Sequence, residues 1–286
     1  MNTEAKIIAH SSASNGAELI TFQTRSPKFL DAEFEKHRMI SSNSSSDRAI
    51  PFSRMKDQEF FVPNDVRLNE KGMQGYEKVC ESELMFFKHA VAKLRNEVLT
   101  YLEPFSDIHK QHLNRYLLPW SWQNKISTAN REWFEYFIGL RAAEGADPAI
   151  QELARKMQDA LDNSEATLIH HYEWHLPYIK NEEKSNLTMS ELRRVSAARC
   201  ARVSYSNHDG SEFSLGKDQE LCDILEKSQH WTPFEHQATA FSTEALENYS
   251  VTVLDQRGIT HTMSKSDKIC SGNFHSFIQY RQLLQD

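Results

Sequence analysis

Thirteen consecutive residues, Lys36-His37-Arg38-Met39-Ile40-Ser41-Ser42-Asn43-Ser44-Ser45-Ser46-Asp47-Arg48, crowd ammonium, guanidinium, imidazole, amide and hydroxyl donors into one stretch almost without apolar filler. Buried donors need partners, so such a segment is not hydrophobic core. It suits a surface that wraps an oxygen-rich anion, most simply the phosphates of a nucleotide, with a solvated Ser/Asn loop as the plain alternative. His170, His171 and His175 form a second cluster, the last two one helical turn apart as metal ligands can be. Glu173 does not complete H-E-x-x-H and Pro177 follows directly, so no metal is expected there. No G-x-G-x-x-G or P-loop occurs, which argues against a Rossmann dinucleotide fold.

These groups need elements to hold them. Leu19 to Thr24 alternates as a half-buried strand, with Ile20 and Phe22 on one face. Ser26-Pro27 opens a short helix carrying Phe29, Leu30, Phe34 and the start of the donor-rich stretch, and residues 41 to 68 read as irregular. A long helix is expected from about Gly72 to Leu102, with Cys80, Leu84, Phe87, Val91, Leu94 and Val98 forming a core stripe. Ile150, Leu153, Ala154, Met157 and Leu161 mark another helix, entered through an Asp147 cap and Pro148 in its first turn. Leu221, Ile224 and Leu225 mark a shorter one. Phe234 to Phe241 and Tyr249 to Leu254 are candidate strands, and the polar run Asn181 to Thr188 reads as a linker or a surface turn. The sum is a mixed α/β (α+β) chain, with helices around a modest, mainly antiparallel sheet in one domain over residues 1–286.

A 286-residue chain with 39% hydrophobic and 26% charged residues is long enough for a sizeable core. A net charge of -7 argues against a general nucleic-acid binder but leaves room for a local basic pocket. No apolar run approaches membrane-spanning length and no secretory pattern opens the sequence. Cys80, Cys200, Cys222 and Cys270 are scattered, with no C-x-x-C, as expected for reduced thiols in a cytoplasmic protein without membrane or nucleic-acid partners.

The donor-rich stretch resembles the signature of flavin-dependent thymidylate synthases, R-H-R-x-x-S-x-N-x-x-S-x-R. His37, Arg38, Ser41, Asn43, Ser46 and Arg48 match it, and Lys36 keeps the charge of the first arginine without its fork. Arg115-Tyr116-Leu117-Leu118-Pro119 resembles the family's R-x-x-L-P, and Asn130 to Arg141 the helix ending in F-x-x-L-R. Ala197 to Tyr205 resembles A-A-R-x-x-x-x-S-Y, and His230 to His236 resembles H-x-T-P-F-E-H. In ordinary members these last two segments precede the signature; here they follow it. That order suggests a circularly permuted, phage-like variant, with the signature at 36–48, a helical part over 70–180 and a permuted segment over 197–286. Glu33, Glu132, Tyr136 and Asp147 depart from the family pattern.

The resemblance implies an FAD-dependent enzyme that methylates dUMP reductively, with methylenetetrahydrofolate as carbon donor and NADPH as reductant. By the same likeness His37, Arg38, Asn43, Asn130, Ser204 and His236 hold FAD, with Glu235 orienting His236. Ser46, Arg48, Arg115 and Arg141 hold dUMP, and Ser46, Arg48 and Arg141 are the catalytic candidates, an arginine stabilising charge on the pyrimidine. Gln279 and Arg281 in the tail are candidates to replace the family's base and phosphate contacts, against a plain terminal helix docking Phe274, Phe277, Ile278 and Leu284. Family members are homotetramers with sites shared between chains. A pyrimidine nucleotide hydroxymethylase, action on a dCMP-like nucleotide, and a non-catalytic nucleotide-binding homologue are the alternatives.

Overall fold

In the computed structural model, which describes residues 2–48, 50–72, 74–203, 214–241, 261–263 and 269–284, strand β1 (Glu4–Ala13) turns back into β2 (Glu18–Pro27). Gly16 sits in that turn at φ 82°, a conformation that favours a residue without Cβ. A short helical stretch follows, ending in α1 (Asp31–Phe34), then β3 (Ser41–Ser44) and α2 (Phe52–Asp57). Helix α3 (Glu81–Leu102) and α4 (Lys110–Leu113) lead through a 3-10 turn over Asn114–Trp120 to β4 (Trp122–Asn130) and α5 (Arg131–Arg141). Next come α6 (Pro148–Asp162), β5 (Thr167–Ile169), β6 (Trp174–His175), α7 (Asn181–Asn186), α8 (Met189–Arg202) and α9 (Leu215–Lys227). Strands β7 (Ala238–Ala240), β8 (His261–Met263), β9 (Ile269–Ser271), β10 (Phe274–His275) and β11 (Phe277–Gln279) complete the described part.

The main sheet has the order β3-β4-β2-β1-β5 and is antiparallel except where β5 runs parallel to β1. This is the expected mixed α/β arrangement with a mainly antiparallel sheet. The strand period of two splits the chemistry of β2. Ile20 and Phe22 face α5 and α6 and pack with Phe134, Phe137, Leu153 and Met157 in the largest core. Thr21 faces the other way, where β6, β7 and β11 form a small second sheet. Asp147 caps α6 by accepting from Ala149 N at 2.9 Å, and Pro148 occupies the first turn, as the sequence leads one to expect.

Several expectations need correction. Residues 41 to 68 are not wholly irregular: the signature's Ser41 to Ser44 pair with β4, and α2 follows. Helix α3 begins at Glu81 rather than near Gly72, where the backbone N–H of Cys80 donates to the Glu83 carboxylate. No member of its apolar stripe is buried, although Val98 packs against the cluster of Phe52, Met55, Leu113 and Leu117. Phe87 is 42% and Leu94 53% exposed, and the one buried side chain of α3 is Arg95, whose Nη2 reaches the carbonyls of Met55, Lys56 and Gln58. Periodicity shows that a face is apolar but not whether this chain or another covers it.

The run Asn181 to Thr188 contains α7 and then the cap of α8, where Thr188 Oγ1 accepts from Glu191 N, so it is not a linker. Of the candidate strand Phe234 to Phe241 only Ala238–Ala240 is strand, because Pro233 sits in a 3-10 turn over Thr232–Glu235. Tyr249 to Leu254 lies outside the described residues. The tail is strand followed by a 3-10 turn rather than an amphipathic helix. Phe277 and Gln279 are both buried, and β11 pairs with β7.

Candidate functional site

Strand β3 is the hub of the site. It is the edge of the main sheet, so only one side of it is paired to another strand, and three segments distant in sequence meet it. Asn43 donates from Nδ2 to the carbonyl of Cys200 at 3.0 Å, which ties the signature to the end of α8. Ser41 Oγ accepts from Asn273 and from Gln279, each at 3.3 Å, which ties it to the tail. Asn273 also reaches the carbonyl of Arg38 at 3.1 Å.

At one end of β3, a cleft of about 290 Å³ is bounded by Lys36, His37, Arg38, Trp133, Tyr136 and Arg141, among others. Arg141 stands at the C-terminal end of α5, whose Phe134, Phe137 and Ile138 are buried. Its guanidinium bridges two residues: Nη1 donates to Glu33 Oε2 at 2.7 Å and Nε donates to His37 Nε2 at 3.1 Å. His37 accepts there as a neutral ring, and burial first and the Arg141 charge second hold its pKa below the usual histidine value. Glu33 thus faces the Arg141 guanidinium. Tyr136 is exposed and lies edge-on to His37 at 6.0 Å. Arg38 and Lys36 are exposed, and among the described residues neither side chain has an acidic partner. Two free cations beside an aromatic wall suit a phosphorylated, planar ligand.

At the other end of β3, Asn114 donates to the carbonyls of Asp47 at 2.8 Å and Ile50 at 2.9 Å, and Lys28 pairs with Asp47 at 2.8 Å. Arg48 and Arg115 are the chain neighbours of Asp47 and Asn114, so one buried hydrogen bond brings the two exposed arginines to the same loop junction. Ser46 Oγ accepts from Arg48 N at 3.4 Å and is half-buried. The dUMP candidates therefore form two groups, Arg48 and Arg115 with Ser46 at one end, and Arg141 at the other.

His236 is buried beneath the sheet. Its Nδ1 lies 2.9 Å from Thr128 Oγ1, while its Nε2 has no partner among the described residues. Burial pushes its pKa down to about 3, so the ring is neutral. Glu235 does not orient it: that carboxylate pairs with Arg281. Arg281 and Gln279 are therefore engaged inside the protein, the latter with Ser41 and the carbonyl of Glu235 at 3.1 Å. Asn130 is likewise occupied. Its Nδ2 donates to the carbonyls of Glu18 at 3.2 Å and His275 at 3.0 Å, and its Oδ1 accepts from His275 N at 2.9 Å. Glu132 pairs with His275. Asn130 and Glu132 thus fasten the tail. Ser204 lies outside the described residues.

The His170-His171-His175 cluster does not converge. His175 is buried between Ser11 and Thr21, and His171 stacks near Tyr172 and Phe241. A larger recess of about 510 Å³ lies between Phe61, Leu68, Phe87 and Ala149 and shares no residue with the signature; its size alone assigns it no chemistry. No described helix is long and apolar enough to cross a membrane. Sequence reasoning missed Thr21 and Thr128. Their signal was the alternation of β2, which turns Thr21 to the face opposite Ile20 and Phe22 and sets it beside its register partner Thr128.

The family model described as thymidylate synthase complementing protein matches residues 8–164, which include the signature, the Arg115 segment and α5. Among solved structures the chain is similar to a UMP/dUMP methylase, PolB, from Streptomyces cacaoi, crystallised with 5-Br UMP. The identity is 16%, the match covers 56% of this chain and 89% of that one, and the TM-score is 0.44. No curated protein matches the sequence.

Proposed function

Because this chain belongs to the thymidylate synthase complementing protein family, we propose that it is an FAD-dependent thymidylate synthase acting on dUMP. Methylenetetrahydrofolate supplies the carbon, and NADPH is the reductant. The observation that carries this reading is the cleft at the start of β3, where Arg38 and Lys36, exposed and without an acidic partner among the described residues, stand beside the neutral His37 and the Arg141 guanidinium. The residues fit a flavin nucleotide. Among the described residues, Arg38 and Lys36 carry no acidic partner and are available for its pyrophosphate, Trp133 and Tyr136 offer aromatic surface, and His236 carries a buried ring nitrogen that meets no partner.

When bound, the flavin supplies the redox chemistry, and the protein contributes position and charge. His37, Arg38 and Asn43 hold the cofactor. Ser46, Arg48 and Arg115 hold the nucleotide phosphate, while Arg141 meets a pyrimidine carbonyl and stabilises negative charge on the ring as carbon five becomes nucleophilic. Water exclusion falls to the apolar side chains of the cleft, Trp133 and Leu140 among them. The segments beyond residue 164 that match the family's opening motifs belong to the same unit in permuted order, which the Asn43 contact to α8 supports.

The two-ended distribution of the arginines supports a site completed by a second protomer, and the exposed apolar side chains of α3 supply a surface for a homo-oligomer, a tetramer in this reading. An absorbance spectrum of the purified protein, followed by NADPH oxidation with dUMP and the folate, tests the assignment. A colourless protein that oxidises no NADPH would remove it.

The hydroxymethylase reading is favoured by one observation: Glu33 sits against Arg141, which changes the donor pattern the pyrimidine meets. Mass spectrometry of the product from dUMP, with and without NADPH, separates a methyl from a hydroxymethyl group.

A further inference from the structure

A chain of five polar side chains crosses the inner face of the main sheet. Ser11 Oγ lies 2.8 Å from His175 Nδ1, and His175 Nε2 lies 2.7 Å from Thr21 Oγ1. Thr21 Oγ1 lies 2.7 Å from Thr128 Oγ1, which lies 2.9 Å from His236 Nδ1. Thr21 and Thr128 are register partners, and Ser41 of the signature is the partner of Thr128 on the other side, so the row runs out to β3. All five members are buried. Burial lowers the pKa of both histidines to about 3, with His10 and His236 adding to the effect at His175, so the wire is uncharged.

An uncharged wire of this kind has two possible directions, and they differ in what they leave unsatisfied. If Ser11 donates to His175, each hydroxyl hydrogen finds an acceptor in the next member, and His236 accepts at Nδ1. The single remaining donor is then His236 Nε2–H. In the opposite direction the Ser11 hydrogen has no acceptor among the described residues, and His236 Nε2 is left as a bare acceptor as well. One unsatisfied group costs less than two, and an unsatisfied buried donor is tolerable where a ligand meets it.

We propose that Ser11, His175, Thr21 and Thr128 are positioning residues that hold His236 as its Nε2–H tautomer and present that N–H to an acceptor on the bound flavin. This rests on the flavin reading above. Isoalloxazine carries carbonyl and ring-nitrogen acceptors along its pyrimidine edge, so a fixed donor can distinguish that edge from the apolar one.

Histidine-selective 15N labelling of the ligand-free protein tests the tautomer without any turnover. His236 is expected to show a protonated Nε2 and a bare Nδ1, unchanged from pH 8 to pH 5. Thr21→Val, two links away, should turn this into a tautomer mixture, and Thr21→Ser should restore the single form. Ser11→Ala, at the far end, should act as Thr21→Val does if that variant fails to fold. Adding FAD should shift the His236 Nε2–H signal. A protonated Nδ1, or signals indifferent to both Thr21→Val and Ser11→Ala, would overturn the wire whether or not FAD binds. FAD bound with the His236 signals unmoved would overturn the presentation to the flavin while leaving the flavin reading intact. No FAD binding at all would remove the flavin reading and the presentation together, with the tautomer still read on its own.

Discussion

Arg141 donates to the neutral ring of His37 across 3.1 Å while its other branch holds Glu33, so the guanidinium at the end of α5 clamps two residues of the stretch that leads into the signature. A planar fork serves both partners at once; a lysine ammonium, a compact point charge, does not reproduce that geometry. Arg141→Ala should lower dUMP turnover by about a hundredfold or more, the scale of losing one positioned charge donor. The melting temperature should move little, since the Glu33 carboxylate left behind is partly exposed and reaches water. Arg141→Lys should recover only a small part of the turnover. Steady-state kinetics beside thermal melts check this, and a full-turnover alanine variant would remove Arg141 from the site.

Acid should loosen the fold before it touches most surface pairs. His175 and His236 have folded pKa values of about 3 against 6.5 for the free side chain. Above pH 6.5 both folded and unfolded chains hold these rings neutral, and the stability is fully present. As pH falls from 6.5 toward 3 the unfolded chain takes up protons that the folded chain refuses, so stability declines across that window. Urea midpoints at pH 7.5 and pH 4.5 should differ clearly, and a double variant, His175→Gln with His236→Gln, should flatten part of that dependence. Equal midpoints for the parent protein would contradict the burial of these rings.

Asn114 tests the other end of β3. Its amide donates to the carbonyls of Asp47 and Ile50, and the side chain is fully buried. Asn114→Ala leaves two carbonyls without that donor, at a cost of about 1–3 kcal/mol. If Arg48 and Arg115 share a phosphate, the apparent KM for dUMP should rise several-fold with a smaller change in kcat. A variant with altered stability but unchanged KM would separate this loop from substrate.

Much of this was legible because local chemistry and tertiary environment agree. Ile20 and Phe22 declare one face of β2, Asp147-Pro148 declares the start of α6, and Phe134, Phe137 and Ile138 declare the buried side of α5. The donor density of residues 36 to 48 marks a ligand surface without saying that its serines form a strand, since β propensity depends on what lies alongside. The α3 stripe misled for a related reason. Phe87 and Leu94 carry the period of a core helix, and only in the folded structure is it seen that the described residues leave them open. Asn130, Gln279 and Arg281 carry the right donors for a ligand, but an amide or guanidinium is equally able to satisfy a neighbouring carbonyl or carboxylate, and here each does. The polar wire was invisible because its members come from four strands and one turn and converge only after the sheet forms.

The exposed face of α3 gives an assembly prediction. Phe87, Leu94 and Tyr101 recur at intervals of seven and stand open together. Leu94→Glu places a carboxylate in that stripe, and its desolvation opposes apolar association. Sedimentation should show the parent protein as an oligomer and Leu94→Glu as a smaller species with its circular dichroism retained. A monomeric parent protein would show that α3 is simply solvated.

Asn130 supplies the sharpest test of the tail. Its three hydrogen bonds join β2, the end of β4 and the backbone of His275. With a net value near 1 kcal/mol for each, Asn130→Ala should cost about 2–4 kcal/mol, more than the same change on a surface helix. The effect should be local as well as global, because the tail also hangs on Asn273 and Gln279, which contact Ser41 of the signature. Limited proteolysis should therefore cut between Gly272 and Gln279 faster in Asn130→Ala than in Phe137→Ala, a core variant expected to lose about 3–5 kcal/mol without touching the tail. Equal cutting of the two variants would mean that the tail follows global unfolding, and Asn130 would then have no special hold on the segment that closes against the signature strand.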